Sequence, residues 1–342
     1  MNKDHLVKVF IAFGLSENTI SKPFGSGLIN STYLLEDGDK YILQKINTKV
    51  FTKPEIIAQN IRSCANYFES KGSKYQFIVP ILTTNGNEYH ESNGETWRLT
   101  PFVENSFTVD ELNDPKEAYE AAKAVGKFAA ETNGIEIENF GETIPRFHDL
   151  SYRYEEFLLS LKNGKTERIE EQKELIGSIK ELSYICDTYE KIKSNPEIPI
   201  RIQHHDTKIN NILFDKSTRK SVCLCDLDTV MPGYFISDLG DMMRTYLAAA
   251  NEEVTDIDKV EVRPDFYKAL IDGYLSEMET ILTEAEKQYI FYAGEFLIYM
   301  QALRFMTDYL NGDIYYGIKY PENNLNRTKN QLKLLTEYQK LK

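Results

Sequence analysis

The amino-acid sequence predicts an α+β fold with a small β-rich N-terminal part and a larger, mainly helical C-terminal part. Three turn signals, Asp37-Gly38, Asn85-Gly86 and Asn93-Gly94, fall among short runs of β-forming residues near the start of the chain. Such dipeptides supply the positive φ angles that tight hairpins require. Beyond residue 110 the apolar residues recur at helical spacing instead. This change of pattern separates a sheet-forming segment from a helical one.

The composition indicates a folded, acidic protein. The chain has 342 residues, enough for two domains, and its 42% hydrophobic content excludes global disorder. With 40 basic and 53 acidic side chains the net charge is -13, which disfavours nucleic acid as a partner. No apolar stretch reaches the roughly 18 residues that span a bilayer, and the four scattered cysteines do not suit a disulfide framework. We therefore expect a cytoplasmic protein with reduced thiols and no membrane partner.

In the N-terminal part the pattern predicts a hairpin, a helix and further hairpin strands, in that order. Residues 33–35 and 41–43 flank the first turn. The helix is predicted to begin at a cap on Thr52, with Glu55 three residues later, and to end at Gly72. The two Asn-Gly turns then separate three predicted strands, at residues 78–82, 88–90 and 96–102.

In the C-terminal part the predicted helices surround a small β insert. Asp114 followed by Pro115 is a strong helix start, and Asn133-Gly134 is a good stop. Further helices are predicted at 166–194, with one break near Gly177, and at 285–310. The insert consists of three short predicted strands, at residues 200–203, 212–214 and 222–225.

Polar residues crowd the ends of the insert strands, and their order indicates phosphoryl transfer. Residues 204–211 fit H-x-D-x-x-x-x-N, the pattern of a kinase catalytic loop, with Asp206 as its Asp and Asn211 as its Asn. If the two following strands pair antiparallel, Asn211 lies beside Asp226. An amide oxygen and a carboxylate together suit Mg²⁺. Asp206, one loop away, is then placed to hold the hydroxyl group of a phosphoryl acceptor.

Simpler interpretations exist for each part of this constellation. Asp206 and Asn211 also fit a turn residue and a strand cap. The triplet Asp226-Leu227-Asp228 matches the metal motif of glycosyltransferases, although three residues are not specific. The pair His205-Asp206 also occurs in HD-type phosphohydrolases. That fold needs further distant histidine ligands, and with five histidines in all the chain has few left to supply them. Asp238 is interpreted as a helix cap or as a brace for the catalytic loop.

A glycine-rich loop precedes the first hairpin. Its two glycines allow backbone N–H groups to approach phosphate oxygens closely, although the pattern alone is common. Lys45, at the end of the strand that follows, is placed to reach the α- and β-phosphates, with Lys40 as a rival. Either lysine is also interpretable as a plain surface residue. The loop reads Phe24-Gly25-Ser26-Gly27-Leu28-Ile29-Asn30.

Taken together, these motifs resemble those of the aminoglycoside phosphotransferase and choline kinase superfamily. The resemblance covers nearly the whole chain, and within the superfamily it is greatest for the N-acetylhexosamine 1-kinases. The stretches that carry it are Tyr41-Ile42-Leu43-Gln44-Lys45-Ile46-Asn47, His205-Asp206-Thr207-Lys208-Ile209-Asn210-Asn211, Asp226-Leu227-Asp228-Thr229-Val230, Asp238-Leu239-Gly240-Asp241 and Leu303-Arg304-Phe305-Met306-Thr307-Asp308-Tyr309-Leu310.

The resemblance implies a bilobal, protein-kinase-like fold. Its N-terminal nucleotide-binding lobe would span residues 1–103, and its C-terminal catalytic and substrate-binding lobe residues 104–342. It makes Asp206 the catalytic carboxylate, and Asn211 and Asp226 the Mg²⁺ ligands, while the glycine-rich loop covers the phosphates of ATP. The expected partners are therefore ATP, Mg²⁺ and a small sugar, bound by a monomer.

The implied reaction is phosphorylation of a sugar hydroxyl, with O1 of an N-acetylhexosamine as the expected acceptor atom. Arg304 and Asp308 become candidates for holding sugar hydroxyls, with a structural ion pair as the alternative. One departure from the kinase pattern concerns the strand lysine, because the middle of the next helix, residues 56–68, has no Glu to pair with it. Either Glu55 forms the pair or this lobe holds its lysine differently. The rival functions are a kinase of an amino alcohol or aminoglycoside, which acidic residues in the acceptor pocket would favour, and a nucleotide-binding pseudokinase.

Overall fold

Tight turns at glycine residues fold the N-terminal residues into a five-stranded antiparallel sheet of order β1-β2-β3-β5-β4. The computed structural model describes residues 3–25 and 29–342. In the first part of the chain the elements are α1 (Lys3–Ala12), β1 (Ile20–Pro23), β2 (Ser31–Asp37), β3 (Asp39–Ile46), α2 (Pro54–Ser70), β4 (His90–Ser92), β5 (Glu95–Pro101) and β6 (Ser106–Phe107).

The remainder of the described chain is mainly helical, with a β insert. Its elements are α3 (Pro115–Glu131), α4 (Leu150–Asn163), α5 (Thr166–Glu171), α6 (Lys173–Glu181), α7 (Tyr184–Ser194), β7 (Arg201–Gln203), β8 (Ile212–Asp215), β9 (Ser221–Leu224), β10 (Met231–Gly233), α8 (Ile236–Tyr246), α9 (Pro264–Met278), α10 (Glu284–Lys287), α11 (Ile290–Asn311) and α12 (Asn323–Gln339). Short 3₁₀ helices lie at Ile137–Asn139, Ile209–Asn211, Leu227–Thr229 and Ile257–Lys259. The predicted α+β class is confirmed.

By their contacts the residues group into two units, and neither unit is a single stretch of chain. Unit 1 comprises Met1–Phe107, Gly134–Pro145 and Leu213–Pro232. Unit 2 comprises Thr108–Asn133, Arg146–Ile212 and Gly233–Lys342. Because the catalytic-loop pattern ends at Asn211, the predicted Asp206 and Asn211 belong to unit 2, whereas Asp226 and Asp228 belong to unit 1.

The core of unit 1 lies on one face of the five-stranded sheet. Alternate residues of a strand point to opposite faces, so the apolar residues at every second position of β3 and β5 share one face. These side chains pack against α1 in a fully buried cluster of Val9, Phe10, Phe13, Leu35, Leu43, Trp97 and Leu99. The intervening residues Gln44 and Arg98, which pair across the strands, therefore lie on the opposite face.

Unit 2 is organised around α11, which is apolar on nearly all sides. This helix packs against α4, α8 and α12, and buries most of its side chains as a central core helix does. Elsewhere in unit 2 the axes of α3 and α9 approach closely, because each carries a glycine at the crossing. A Cβ atom on Gly126 would lie 2.8 Å from the main-chain oxygen of Tyr274. One on Gly273 would lie 2.3 Å from the main-chain oxygen of Tyr119.

Most predicted elements are present, and the hairpin at residues 33–43 is confirmed with Gly38 at φ +75°. The predicted cap of Asp114 on α3 is confirmed by the hydrogen bond from the Lys116 N–H at 2.8 Å. The predicted strand at 78–82 is wrong. Pro80 has no N–H for a ladder, and only Ile81 forms an isolated bridge with Leu99.

Three helix boundaries also differ from the prediction. Helix α2 begins at Pro54 with Lys53 at the cap position and no side-chain cap, so the predicted cap at Thr52 is wrong. Gly177 lies inside α6, and the breaks in this region fall at Gln172 and at residues 182–183 instead. The predicted helix at 285–310 is divided into α10 and α11 at residues 288–289.

Two expectations from the composition can be compared with the structure. The four cysteines are free thiols, three of them buried. Within residues 3–25 and 29–342, each helix is too short or too polar to cross a membrane.

Candidate active site

The predicted catalytic loop follows strand β7 in unit 2 and brings two of the predicted site residues into direct contact. Asn211 Nδ2 donates to the main-chain oxygen of Asp206 at 2.9 Å and to its carboxylate oxygen Oδ2 at 3.0 Å. Lys208 Nζ donates to the same carboxylate oxygen at 2.9 Å. The Asp206 side chain retains 26% exposure. A carboxylate is thus held by two donors while one of its oxygens stays accessible.

Helix α8 braces this loop through Asp238, whose side chain is fully buried. The Asp238 carboxylate accepts the main-chain N–H groups of His204 at 2.8 Å and His205 at 2.7 Å. Thr207 Oγ1 donates to the main-chain oxygen of Asp238 at 2.9 Å. The Tyr246 hydroxyl in turn donates to the main-chain oxygen of Thr207 at 2.7 Å. Of the two interpretations of Asp238, the brace is therefore confirmed. Burial raises the pKa of Asp238 to about 6.

His205 sets the backbone path just before Asp206. Its φ angle is +64°, a left-handed conformation that is uncommon outside glycine. Its ring lies 5.2 Å from the ring of His148, and burial lowers the pKa of His148 well below its usual value. A Cβ atom on Gly233 would lie 2.5 Å from His205 Nε2, so only glycine leaves room for this ring. These contacts fix the entry to the catalytic loop.

The second predicted motif, Asp226-Leu227-Asp228, leads into a 3₁₀ helix of unit 1. Asp226 is left-handed, at φ 58° and ψ 58°. The Asp228 side chain is only 2% exposed. Its carboxylate forms an ion pair with Arg98 and accepts a hydrogen bond from Asn30. Asn30, a predicted loop residue, donates to Asp228 Oδ2 at 2.7 Å and accepts the Asn47 N–H at 2.9 Å.

Each of the two predicted metal ligands offers an oxygen atom of a kind that suits a small divalent cation. Because the Asn211 side-chain N–H groups face Asp206, its amide oxygen points the other way and is suited to a hard cation. Asp226 offers a carboxylate, also a ligand that Mg²⁺ prefers. The described residues contain no cluster of three or more His, Cys, Asp or Glu side chains suited to a metal.

Two further nucleotide-site predictions concern the glycine-rich loop and the strand lysine. Gly25 has φ +76° and open space around the position of a Cβ atom, whereas Ser26 and Gly27 lie outside the described residues. Lys45 Nζ lies 3.0 Å from Glu95, whose carboxylate also contacts His5 of α1. Lys45 therefore has a glutamate partner, but from β5 rather than from α2. The assignment of Lys45 to nucleotide phosphates stays a prediction.

Arg304 lines a cavity of about 200 Å³ in unit 2. Its guanidinium carbon lies 5.2 Å from the ring centre of Phe147. The Phe147 ring stacks on that of His148 at 4.4 Å, and His148 in turn contacts the ring of His205. Among the described residues no carboxylate forms an ion pair with Arg304, so the alternative of a structural ion pair does not hold for it. The cavity is lined by Arg153, Glu156, Arg304, Thr307, Asp308, Asn311, Ile314, Tyr315 and Tyr316.

Asp308 has a structural task in the same cavity wall. Its carboxylate accepts the main-chain N–H groups of Ile314, Tyr315 and Tyr316 at 2.8–2.9 Å, and Asn324 Nδ2 donates to it at 3.0 Å. Four hydrogen bonds use the lone pairs that a carboxylate offers. Asp308 therefore holds the loop that carries the two tyrosines, and its assignment to sugar hydroxyls stays a prediction.

The sequence reasoning missed several of these residues. Arg98 is 5% exposed in the middle of a sheet, and a charged residue flanked by Trp97 and Leu99 in a strand was the available signal. Tyr315 and Tyr316 follow the helix that carries Arg304, but no pattern links them to it. Arg153 lies in an ordinary amphipathic helix, and the sequence carries no signal for it.

Comparisons with known proteins show the family and the fold of this chain. A family model described as phosphotransferase enzyme family, APH, matches residues 21–281. Among solved structures, a microcompartment-associated aminopropanol kinase has a TM-score of 0.65 at 15% identity, over 99% of this chain and 97% of that chain. Amicoumacin kinase, solved with AMP-PNP and Ca²⁺, has a TM-score of 0.65 at 14% identity, over 98% of this chain and 96% of that chain.

A third solved structure, spectinomycin phosphotransferase in complex with ADP and spectinomycin, has a TM-score of 0.62 at 12% identity, over 98% of each chain. At such low identities the likeness shows the fold alone. The predicted protein-kinase-like α+β fold is thereby confirmed.

Proposed function

Because the chain belongs to the phosphotransferase enzyme family, we propose that it is an ATP- and Mg²⁺-dependent small-molecule kinase whose acceptor is a sugar hydroxyl. The expected acceptor atom is O1 of an N-acetylhexosamine, and the product is the sugar 1-phosphate. Two solved proteins of similar fold were crystallised with ADP or with AMP-PNP and Ca²⁺, which supports the choice of nucleotide and divalent cation.

Asp206 is the proposed catalytic carboxylate. Its two donors, Lys208 and Asn211, both bind Oδ2 and so fix the orientation of the carboxylate. In phosphoryl transfer such a carboxylate orients the acceptor hydroxyl and takes its proton. Lys208, 39% exposed beside it, is placed to balance negative charge on the phosphoryl group that moves.

The nucleotide would be held by the predicted glycine-rich loop and the metal by Asn211 and Asp226. Bound Mg²⁺ supplies charge neutralisation for the phosphate oxygens. The protein's share of the work is to orient the Asn211 amide through Asp206 and to hold the Asp226 backbone in its left-handed conformation.

The observation that carries the choice of acceptor is the charge of the cavity around Arg304. Two arginines and two tyrosines line it, and its two carboxylates are already engaged. Glu156 pairs with Arg153 at 2.7 Å, and Asp308 accepts four N–H groups. A protonated amine would therefore meet the Arg304 guanidinium, which forms no ion pair with the described residues, without a free cavity carboxylate to bind it. A neutral hydroxyl compound avoids that repulsion and gains hydrogen bonds from the guanidinium.

Aromatic side chains favour a ring-shaped acceptor over a linear one. Tyr315 lines the cavity and is 65% exposed, so much of its side chain is accessible to a ligand. Sugar rings present C–H groups on one face, and these pack on an aromatic ring. An anomeric hydroxyl is also more acidic than an ordinary alcohol, so that Asp206 need take its proton only late in the reaction.

The test is ATP consumption by the purified protein with a panel of acceptors. The panel contains hexoses, N-acetylhexosamines, choline, aminopropanol and an aminoglycoside, each with Mg²⁺. We expect turnover with an N-acetylhexosamine and a product whose phosphate is lost on mild acid treatment, as a glycosyl phosphate is. Turnover with amino alcohols alone would remove the sugar proposal and leave a kinase of amines. ATP binding without turnover of any acceptor would favour the pseudokinase.

A further inference from the structure

Lys45 and Arg98 lie on opposite faces of the unit 1 sheet. Lys45 pairs across the strands with Trp97, and it lies two residues beyond Leu43, which belongs to the α1 core cluster. Its ammonium reaches Glu95, two residues before Trp97 on the same face. Arg98 and Gln44, which pair with each other, face the other way.

On that second face Arg98 is the buried cation. Its side chain is 6% exposed, and Nη1 lies 2.5 Å from Oδ1 of Asp228, whose side chain is 2% exposed. Nη2 donates to Gln44 Oε1 at 2.6 Å. The other oxygen of Asp228 accepts from Asn30 at 2.7 Å. Both oxygens of Asp228 are thus held, one by the sheet and one by the end of the glycine-rich loop.

Helix α2 holds the same segment two residues further on. Asn60, with no exposed surface, donates to the main-chain oxygen of Val230 at 2.8 Å and to that of Gly141 at 2.8 Å. It also accepts the Gly141 N–H at 3.0 Å. This is the middle of the helix in which the sequence lacks the expected Glu. The middle of α2 thus carries an amide that binds main-chain groups, whereas protein kinases carry a carboxylate that binds the strand lysine in the middle of the corresponding helix.

The Arg98–Asp228 pair is a poor device for stability alone. Taking both charges out of water costs several kcal/mol per ion, and the pair regains this only with complete hydrogen bonding. Here Nε and Nη1 of Arg98 and Oδ1 of Asp228 lack well-aligned hydrogen bonds within the described residues. An apolar pair of the same volume would be at least as stable. The charges are better explained by what they hold in place.

We propose that Arg98 is a positioning residue for the nucleotide and its metal ion, and that the Arg98–Asp228 pair replaces the lysine–glutamate pair of kinases. Through Asp228 it holds Asp226, two residues earlier, and through Asn30 the end of the glycine-rich loop. Arg98 itself need not touch the nucleotide. This inference rests on the proposed function, because it assumes that Asp226 and the loop serve Mg²⁺ and ATP.

The test compares binding of MgADP, ADP with EDTA, and adenosine to the full-length chain by calorimetry. Outer-shell partners of a metal site change metal affinity by about 10–100-fold. For Arg98→Met we therefore expect MgADP affinity to fall by about that factor, while adenosine affinity stays within about threefold. When EDTA removes the metal, the part of the loss that acts through Asp226 should disappear, and only the part that acts through Asn30 and the loop should remain. Arg98→Lys should recover part of the affinity, because it keeps the charge but not the fork.

Two further variants separate positioning from charge balance and from the role of Lys45. Arg98→Met leaves Asp228 buried without a partner, so the double variant Arg98→Met/Asp228→Leu removes both charges and keeps the volume. We expect it to fold like the wild type by circular dichroism and thermal midpoint, and still to bind MgADP weakly. Wild-type MgADP affinity in the double variant would overturn the proposal. A selective MgADP loss in Lys45→Met would overturn it as well, by returning that role to Lys45.

Arg62→Met is the matched control, since Arg62 is also an ion-paired arginine of unit 1, at 2.6 Å from Glu88. It should leave MgADP affinity within twofold. If the wild-type chain binds neither MgADP nor adenosine, the proposed function fails and this inference with it. If the wild type binds MgADP and phosphorylates a sugar but Arg98→Met behaves like it, this inference alone fails.

Discussion

Asn211 donates its side-chain N–H groups to Asp206, to the main-chain oxygen at 2.9 Å and to the carboxylate at 3.0 Å. The contact ties the proposed catalytic carboxylate to the proposed metal ligand within one loop. Each side chain therefore sets the orientation of the other, and neither can rotate without breaking a hydrogen bond.

The first prediction concerns Asp206→Asn. The amide has the same shape and can still accept from Lys208, so the fold should be retained. It cannot take a proton from the acceptor, and loss of general-base catalysis costs about 10²–10⁴-fold in rate. We expect kcat to fall by that factor while the thermal midpoint stays within about 2 °C. Asp272→Asn, an exposed carboxylate paired with Lys268 on α9, should retain full activity. An Asp206→Asn protein with wild-type kcat would exclude Asp206 as the base.

The second prediction concerns pH and Asp238. Its folded-state pKa, about 6, lies above the ordinary value of 3.8 because the side chain is buried. The folded state therefore binds this proton more tightly than the unfolded state does. The resulting stability is fully present below pH 3.8 and is lost as pH rises through about 6. In urea unfolding, the free energy of the wild type relative to Asp238→Asn should thus increase from pH 7 to pH 4.5.

Activity should change with pH in the opposite direction. A protonated Asp238 has one oxygen that donates rather than accepts, so it can no longer accept from both His204 and His205. We expect kcat to decline below pH 6 even where the unfolding free energy difference grows. Parallel pH profiles of activity and of relative stability would contradict this assignment.

The third prediction concerns Gly233→Ala. The added methyl group would lie 2.5 Å from His205 Nε2, so the ring must move and take the residue before Asp206 with it. Forced overpacking of this kind costs about 1–3 kcal/mol of folding stability. We also expect kcat to fall about tenfold or more, because a small displacement of a catalytic group can reduce the rate by up to about 10²-fold. Gly177→Ala is the matched control, since no atom lies within 4 Å of its added methyl group. That change should raise stability by up to about 1 kcal/mol, since alanine favours a helix. Equal kcat values in the two variants would show that His205 does not position the loop.

The fourth prediction concerns Arg304→Gln. If the guanidinium binds acceptor hydroxyls, its loss should raise the acceptor KM about tenfold or more, since hydrogen bonds to charged groups contribute about 1.5–3 kcal/mol. The KM of ATP should stay unchanged. Arg146→Gln removes another arginine that lies over a tyrosine ring of unit 2, at 4.0 Å from Tyr152 and outside the cavity. It should alter neither constant. A selective rise in the KM of ATP for Arg304→Gln would move Arg304 out of the acceptor site.

The catalytic loop was predictable because its chemistry is local in sequence. Asp206 and Asn211 lie within one short motif, and their contact needs only the turn between them. For Asp238 the sequence predicted a helix cap or a brace, because it stands in the first turn of a helix, where a carboxylate accepts N–H groups readily. The choice of the brace depends on the distant N–H groups of His204 and His205.

The residues that were missed depend on contacts between distant parts of the chain. Either Lys45 or Gln44 shares the sheet face that packs against α1, and the packing of α1 decides which one does. Strand alternation alone leaves both choices open. Arg98 could not be matched to Asp228, because an arginine in a strand is usually exposed. The role of Asp308 depends on the path of the loop at 314–316, which no local pattern describes.

The discontinuous make-up of unit 1 has a consequence for biosynthesis. The strand that carries Arg98 leaves the ribosome well before residues 213–232, which complete the unit and supply Asp228. A nascent chain that ends after β6 thus has a guanidinium without its counter-charge on the sheet face opposite α1. Native packing of that face must wait until translation has passed Asp228. A fragment that ends at Phe107 would lack the Asp228 carboxylate altogether and so could not form this ion pair.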